Sequence, residues 1–112
     1  METKEFAQKI CEFLSSKKAQ DIVKIYVADK TIIADYFVIA SGRSATQVKS
    51  LCDNLEEFVE SLGFAAKRKE GVQEGRWAVL DFGDVIVHVF NDEQRLFYHL
   101  ERIWGEGEKF TD

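Results

Sequence analysis

A small single α/β domain, with a mixed sheet of about five strands and flanking helices, is the fold class that three observations on this sequence predict. Segments of helical and strand periodicity run in the order helix, strand, strand, helix, three strands, helix, without internal repeats. Two of the strand-like stretches, residues 35–42 and 77–90, are apolar on both faces, as strands covered from both sides tend to be. The 112 residues, 46% of them hydrophobic, suffice for one core that buries roughly two thirds of the unfolded surface. The domain is expected over residues 1–105, with a frayed tail over 106–112.

Residues 4–16 place Phe6, Ile10, Phe13 and Leu14 at helical spacing, with Lys4, Glu5, Lys9 and Glu12 on the rest of the wheel. At 21–28, Val23, Ile25 and Val27 alternate with Ile22, Lys24 and Tyr26, which suits a strand with one wetter face lying towards a sheet edge. The run DYFVIASG at 35–42 ends at Gly42, and Ser44 with Gln47 forms an S-x-x-Q capping box that starts a second helix. Val48, Leu51, Cys52, Leu55, Phe58, Val59 and Leu62 recur along it at steps of three and four, until Gly63 stops it. A short polar strand within FAAKRKE and a loop with Gly71 and Gly75 lead to residues 77–90. Asn91 or Asp92 can cap a last helix that buries Leu96, Phe97, Leu100, Ile103 and Trp104 and turns Tyr98 and Arg102 the other way. The strand–helix–strand unit between 35 and 70 reads as a crossover, with a nucleotidyltransferase-like topology suspected.

WAVLDFGDVIVHVF, residues 77–90, is the most informative segment. Gly83-Asp84 suits a two-residue type II′ turn between two strands. Counting outward, Phe82 opposes Val85, Leu80 opposes Val87 and Ala78 opposes Val89, all on one core face. The other face pairs Asp81 with Ile86, Val79 with His88 and Trp77 with Phe90. Large aromatics beside one carboxylate and one imidazole mark that second face as covered by the protein's own helix or used for binding.

Fifteen basic against twenty acidic residues give a net charge of −5, which disfavours broad binding to nucleic acid and suits a basic protein partner. No run is long enough to span a membrane, and the start, METKEFAQKI, alternates charges unlike a signal peptide, so a cytoplasmic protein is expected. Cys11 and Cys52 fall on apolar helix faces, with no CxxC or Cys/His cluster for zinc; no metal or cofactor is expected.

Candidate chemistry is sparse. SGRS at 41–44 turns a strand into a helix N-terminus, a geometry open to phosphate, yet neither a Walker A nor a dinucleotide fingerprint is present, and a tight turn with a cap explains it. A nucleotidyltransferase site would need a carboxylate pair on the following strand, whereas the next acidic residue, Asp53, sits within the helix. Asp81 and His88 share a hairpin face at diagonal positions, but a hydrolase would need a third member and no GxSxG elbow is present. Lys67, Arg68 and Lys69 form a basic run whose alternation splits it between two faces; such a run is usually solvated. Trp77, Phe90 and Tyr98 are the leading binding candidates, since buried aromatics dominate interface energetics.

DYFVIASGRSATQV at 35–48 and EGRWAVLDFGDVIVHVFNDEQRLFYHLERIW at 74–104 resemble the two blocks of the bacterial ribosomal silencing factors, also called the Iojap family. The resemblance implies a non-catalytic protein that binds the large ribosomal subunit through large-subunit ribosomal protein number fourteen, at an intersubunit bridge. It would block joining of the small subunit and repress translation under nutrient limitation. Carried over by position, the partner-binding residues implied are Trp77, Val79, Asp81, His88, Phe90 and Tyr98, with little direct RNA contact and no membrane. A homodimer on the same face stays open, as do two competing functions, a small nucleotidyltransferase-like enzyme and a generic protein adaptor.

Overall fold

The computed structural model of the chain describes residues 1–91 and 108–110. Its elements are helix α1 (Thr3–Ser16), strands β1 (Gln20–Tyr26) and β2 (Tyr36–Gly42), helix α2 (Ala45–Ser61), and strands β3 (Arg68–Glu70), β4 (Trp77–Asp81), β5 (Val85–Asn91) and β6 (Glu108–Lys109). The helix expected beyond Asn91 lies outside the described residues, and Tyr98 with it.

Local chemistry explains the boundaries. The first helix buries Phe6, Ala7, Ile10, Cys11 and Leu14 along one stripe. At the start of α2 the Ser44 hydroxyl accepts from the Gln47 N–H at 3.1 Å, and the Gln47 side-chain oxygen accepts from the Arg43 N–H at 2.6 Å. This reciprocal pair is the expected box, displaced by one residue on its return leg, and losing such a cap costs about 1 kcal/mol. It also uses donors that a phosphate at SGRS would need, so that motif is a cap in this fold. At the other end Gly63 adopts φ +91°, the left-handed conformation that closes a helix.

The strands form a mixed sheet in the order β3-β4-β5-β2-β1-β6. Among the described strands only β2 and β5 pair in parallel; the other neighbours are antiparallel. This places β2 and β5 in the middle, which is why both are apolar on both faces and buried along almost their whole length. The short β3 runs parallel to β2 with two strands between them, so the chain joining them crosses over β4 and β5.

The hairpin register is the one counted from its turn, with Trp77 opposite Phe90, Val79 opposite His88 and Asp81 opposite Ile86. Gly83 has φ +95° while Asp84 keeps a negative φ, the combination that a type II′ turn requires.

The tail differs from expectation. Glu108 and Lys109 pair with Lys24 and Val23 of β1, and the Phe110 N–H donates to the Ile22 carbonyl at 2.8 Å. The outer edge of β1 offers unpaired backbone groups, and Phe110 packs against the core, so a polar tail with one aromatic anchor becomes the sixth strand.

Two apolar layers result. On one face of the sheet, Val38, Ala40, Ala78, Leu80, Val87 and Val89 pack with Ile10, Leu14, Leu51 and Leu55 of the two helices. Cys11 and Cys52 sit in this layer as free thiols, pushed by burial up to about 11 and about 12, and so stay protonated and unreactive at neutral pH. On the other face, Val23, Ile25, Val27, Phe37, Ile39, Ile86 and Phe90 form a second cluster, with Trp77 and Val79 packed against it.

Candidate partner-binding face

The sequence of β4 alternates Trp77, Val79 and Asp81 with Ala78 and Leu80, and the strand turns these two sets to opposite faces. Ala78 and Leu80 are wholly buried beneath the helices. Trp77, Val79 and Asp81 stay partly exposed on the face opposite α1 and α2. They form a strip with an indole at one end and a carboxylate at the other.

The neighbouring strand behaves differently. His88 keeps 8% of its surface and Phe90 none, so the two residues expected to touch a partner are buried instead. Their strand lies between β4 and β2, and side chains on such a strand are flanked on both sides. They flank the strip on the same face of the sheet.

Aromatic rings assemble there. The Trp77 ring stacks on Phe90 with centroids 5.1 Å apart and planes at 26°. His88 lies parallel to Phe90 at 6.4 Å and meets Phe37 edge-on at 5.1 Å. The Trp77 indole N–H donates to His88 Nδ1 at 3.0 Å, a diagonal cross-strand contact that places the imidazole proton on Nε2. That Nε2 is buried and finds no hydrogen-bond partner among the described residues. Burial also pushes the imidazole down to about 4, so it is neutral at physiological pH.

Asp81 is engaged elsewhere. Its Oδ1 accepts from the Gly83 N–H at 2.8 Å, tying the carboxylate to the hairpin turn. Asp81 and His88 thus share a face without forming a pair, and each has the partner that the hydrolytic reading needed it to lack. Among the described residues no group of three or more His, Cys, Asp or Glu side chains could hold a metal ion. No helix among them is long and apolar enough to cross a membrane.

Beside Asp81 the strip opens into a groove lined by Ile33, Arg68, Glu70, Val79, Asp81 and Ile86. Ile32 next to it is fully exposed and Ile33 largely so. Sequence reasoning passed over this pair. The signal was present, since Thr31-Ile32-Ile33 falls between two strand patterns and two adjacent branched apolar residues have no reason to sit in a loop unless something covers them.

The basic run divides as alternation predicts, with Arg68 opposite Asp81 on the strip side and Lys69 opposite Leu80 on the helix side. Arg68 bonds Glu70 at 2.9 Å and Lys69 bonds Glu56 of α2 at 3.0 Å. Both cations spend part of their charge within the molecule.

Residues 1–112 match the family model described as "Ribosomal silencing factor during starvation". The chain is 36% identical over 106 residues to the ribosomal silencing factor of Halalkalibacterium halodurans, covering 95% of this chain and 91% of the relative. It is 31% identical over 100 residues to the chloroplastic protein Iojap of Arabidopsis thaliana, covering 89% of this chain and 42% of that longer protein. Among solved structures, a crystal structure of a Chromobacterium violaceum protein superposes with a TM-score of 0.91 at 30% identity, covering all of this chain and 94% of the other.

Proposed function

This chain belongs to the ribosomal silencing factor family, and from that premise we propose that it binds the large ribosomal subunit and prevents the small subunit from joining. The direct partner is large-subunit ribosomal protein number fourteen at an intersubunit bridge, and the consequence is repression of translation in the cytoplasm when nutrients are scarce. The family's relatives are named as silencing factors, which are regulators rather than enzymes.

The observation that carries the reading is the partly exposed strip of Trp77, Val79 and Asp81, backed by buried rings and continued by the groove at Ile33. An interface needs an apolar centre, held rigid before binding, with charges at its rim. Trp77 stacked on Phe90 supplies the first, and Asp81 beside Arg68 and Glu70 supplies the second. With a net charge of −5 the protein is attracted to a basic ribosomal protein and repelled by bare ribosomal RNA, which favours docking on protein and limits RNA contact. A rigid body at a bridge then obstructs joining sterically, without chemistry or cofactor.

The test is sedimentation of purified large subunits with this protein, followed by addition of small subunits. The expected result is co-sedimentation with the large subunit and a reduced yield of joined ribosomes. Full joining at saturating protein would refute the proposal, and co-sedimentation that depends on self-association would instead indicate a dimer using the same face.

A further inference from the structure

We infer that His88 is a positioning residue for the docking strip: its bare Nδ1 holds the Trp77 indole N–H and so sets the pose in which the indole meets a partner. The inference rests on the docking reading above and adds a residue that acts through another.

Two observations point the same way. The first is the bond itself, 3.0 Å from indole nitrogen to Nδ1, between residues that are diagonal neighbours in adjacent strands. A bond to Nδ1 fixes the tautomer, so the remaining proton must sit on Nε2. The second is that Nε2 is buried with no partner among the described residues, on a side chain only 8% exposed.

A buried unpaired donor is unfavourable, and a phenylalanine or leucine at this place would avoid it while packing as well against Phe37 and Phe90. What those residues lack is the acceptor facing Trp77. The orphaned Nε2 is therefore the consequence of placing an sp2 nitrogen opposite the indole N–H.

Stacking on Phe90 and the bond to His88 act on the indole in different directions. Stacking between these cross-strand partners sets the spacing of the two rings and has no preferred direction within their planes. The bond is directional and fixes where the N–H points within the plane of the ring. A partly exposed tryptophan so restrained meets its partner with little rotamer entropy left to lose.

The experiment uses the full chain in three forms: unaltered, His88→Phe and His88→Asn. Asparagine places its side-chain oxygen close to the position of Nδ1 and keeps the acceptor; phenylalanine keeps the ring and loses it. The first readout is the Trp77 indole N–H resonance and its hydrogen-exchange rate in the free protein, assigned with Trp77→Phe and referenced to Trp104. The second is affinity for isolated large subunits.

His88→Phe is expected to move the resonance upfield, speed its exchange at least tenfold and weaken binding roughly three- to tenfold. His88→Asn is expected to restore the exchange rate and bring binding back to within about twofold. An indole resonance unmoved in His88→Phe overturns the inference, and so does a binding loss that His88→Asn fails to rescue. Because the first readout needs no ribosome, unaltered protein that does not bind large subunits would sink the docking reading while leaving the His88–Trp77 restraint measured in its own right.

Discussion

The two faces of the sheet are built from the same strands and do opposite things. Beneath α1 and α2, Ala78 and Leu80 of β4 and Val85, Val87 and Val89 of β5 are aliphatic, wholly buried and free of polar atoms. On the other face the same two strands present Trp77, Val79 and Asp81 partly exposed, and bury an imidazole with one nitrogen unpaired among the described residues. The first arrangement is what stability alone selects. The second sacrifices burial and hydrogen bonding, which a fold tolerates where a surface has work beyond holding itself together.

That contrast is broken most forcefully at Leu80. Its replacement by alanine leaves a cavity among fully buried neighbours and is expected to destabilise by about 3 kcal/mol, whereas Val79→Ala, one residue along the same strand, should cost under about 1 kcal/mol. Urea unfolding of the two variants measures both, and similar losses would erase the distinction between the faces.

Acid sharpens the contrast from the other side. His88 ionises in the fold only at about 4, against an ordinary 6.5, so between those values the unfolded chain binds more protons than the folded one. Stability is full above about 6.5 and falls by about 3 kcal/mol as pH drops to about 4. His88→Phe should remove this part of the slope, read as the difference between unfolding free energies at pH 7 and pH 4.5.

Trp77→Ala should divide stability from binding. Affinity for large subunits is expected to fall at least tenfold, in the manner of a central aromatic anchor, with the fold intact by circular dichroism. Binding within twofold of the unaltered protein would move the interface elsewhere, with the Ile32–Ile33 loop the next place to look.

The smallest effect is expected at Asp81. Asp81→Asn keeps an oxygen to accept the Gly83 N–H and should slow association only slightly, while Asp81→Lys reverses the charge and should slow it several-fold at low salt. The gap should close as ionic strength rises; equal rates at low salt would argue against steering by this carboxylate.

Much of this was legible in order and register. Alternation in 77–90 together with Gly83 fixed which residues oppose one another, because a two-residue turn admits one register and a pleated strand has a period of two. The Ser44–Gln47 box and Gly63 bracketed α2 for equally local reasons. The apolar faces of 35–42 and 85–90 announced strands buried on both sides, and those two became the centre of the sheet, while 77–81 kept one face partly exposed.

What depended on distant parts of the chain was decided only by the tertiary structure. No local pattern says that residues 108–109 complete the edge beside β1, because that pairing closes a loop of more than eighty residues. Nor does any spacing say that Asp81 turns to Gly83 and His88 to Trp77 rather than to each other, a matter of a few ångströms settled by the turn and by ring packing. The sequence by itself determined which side chains share a face, since that follows from periodicity. Whether each is covered or offered, and to which neighbour its polar atom points, was decided by the neighbouring strands that the fold brought alongside.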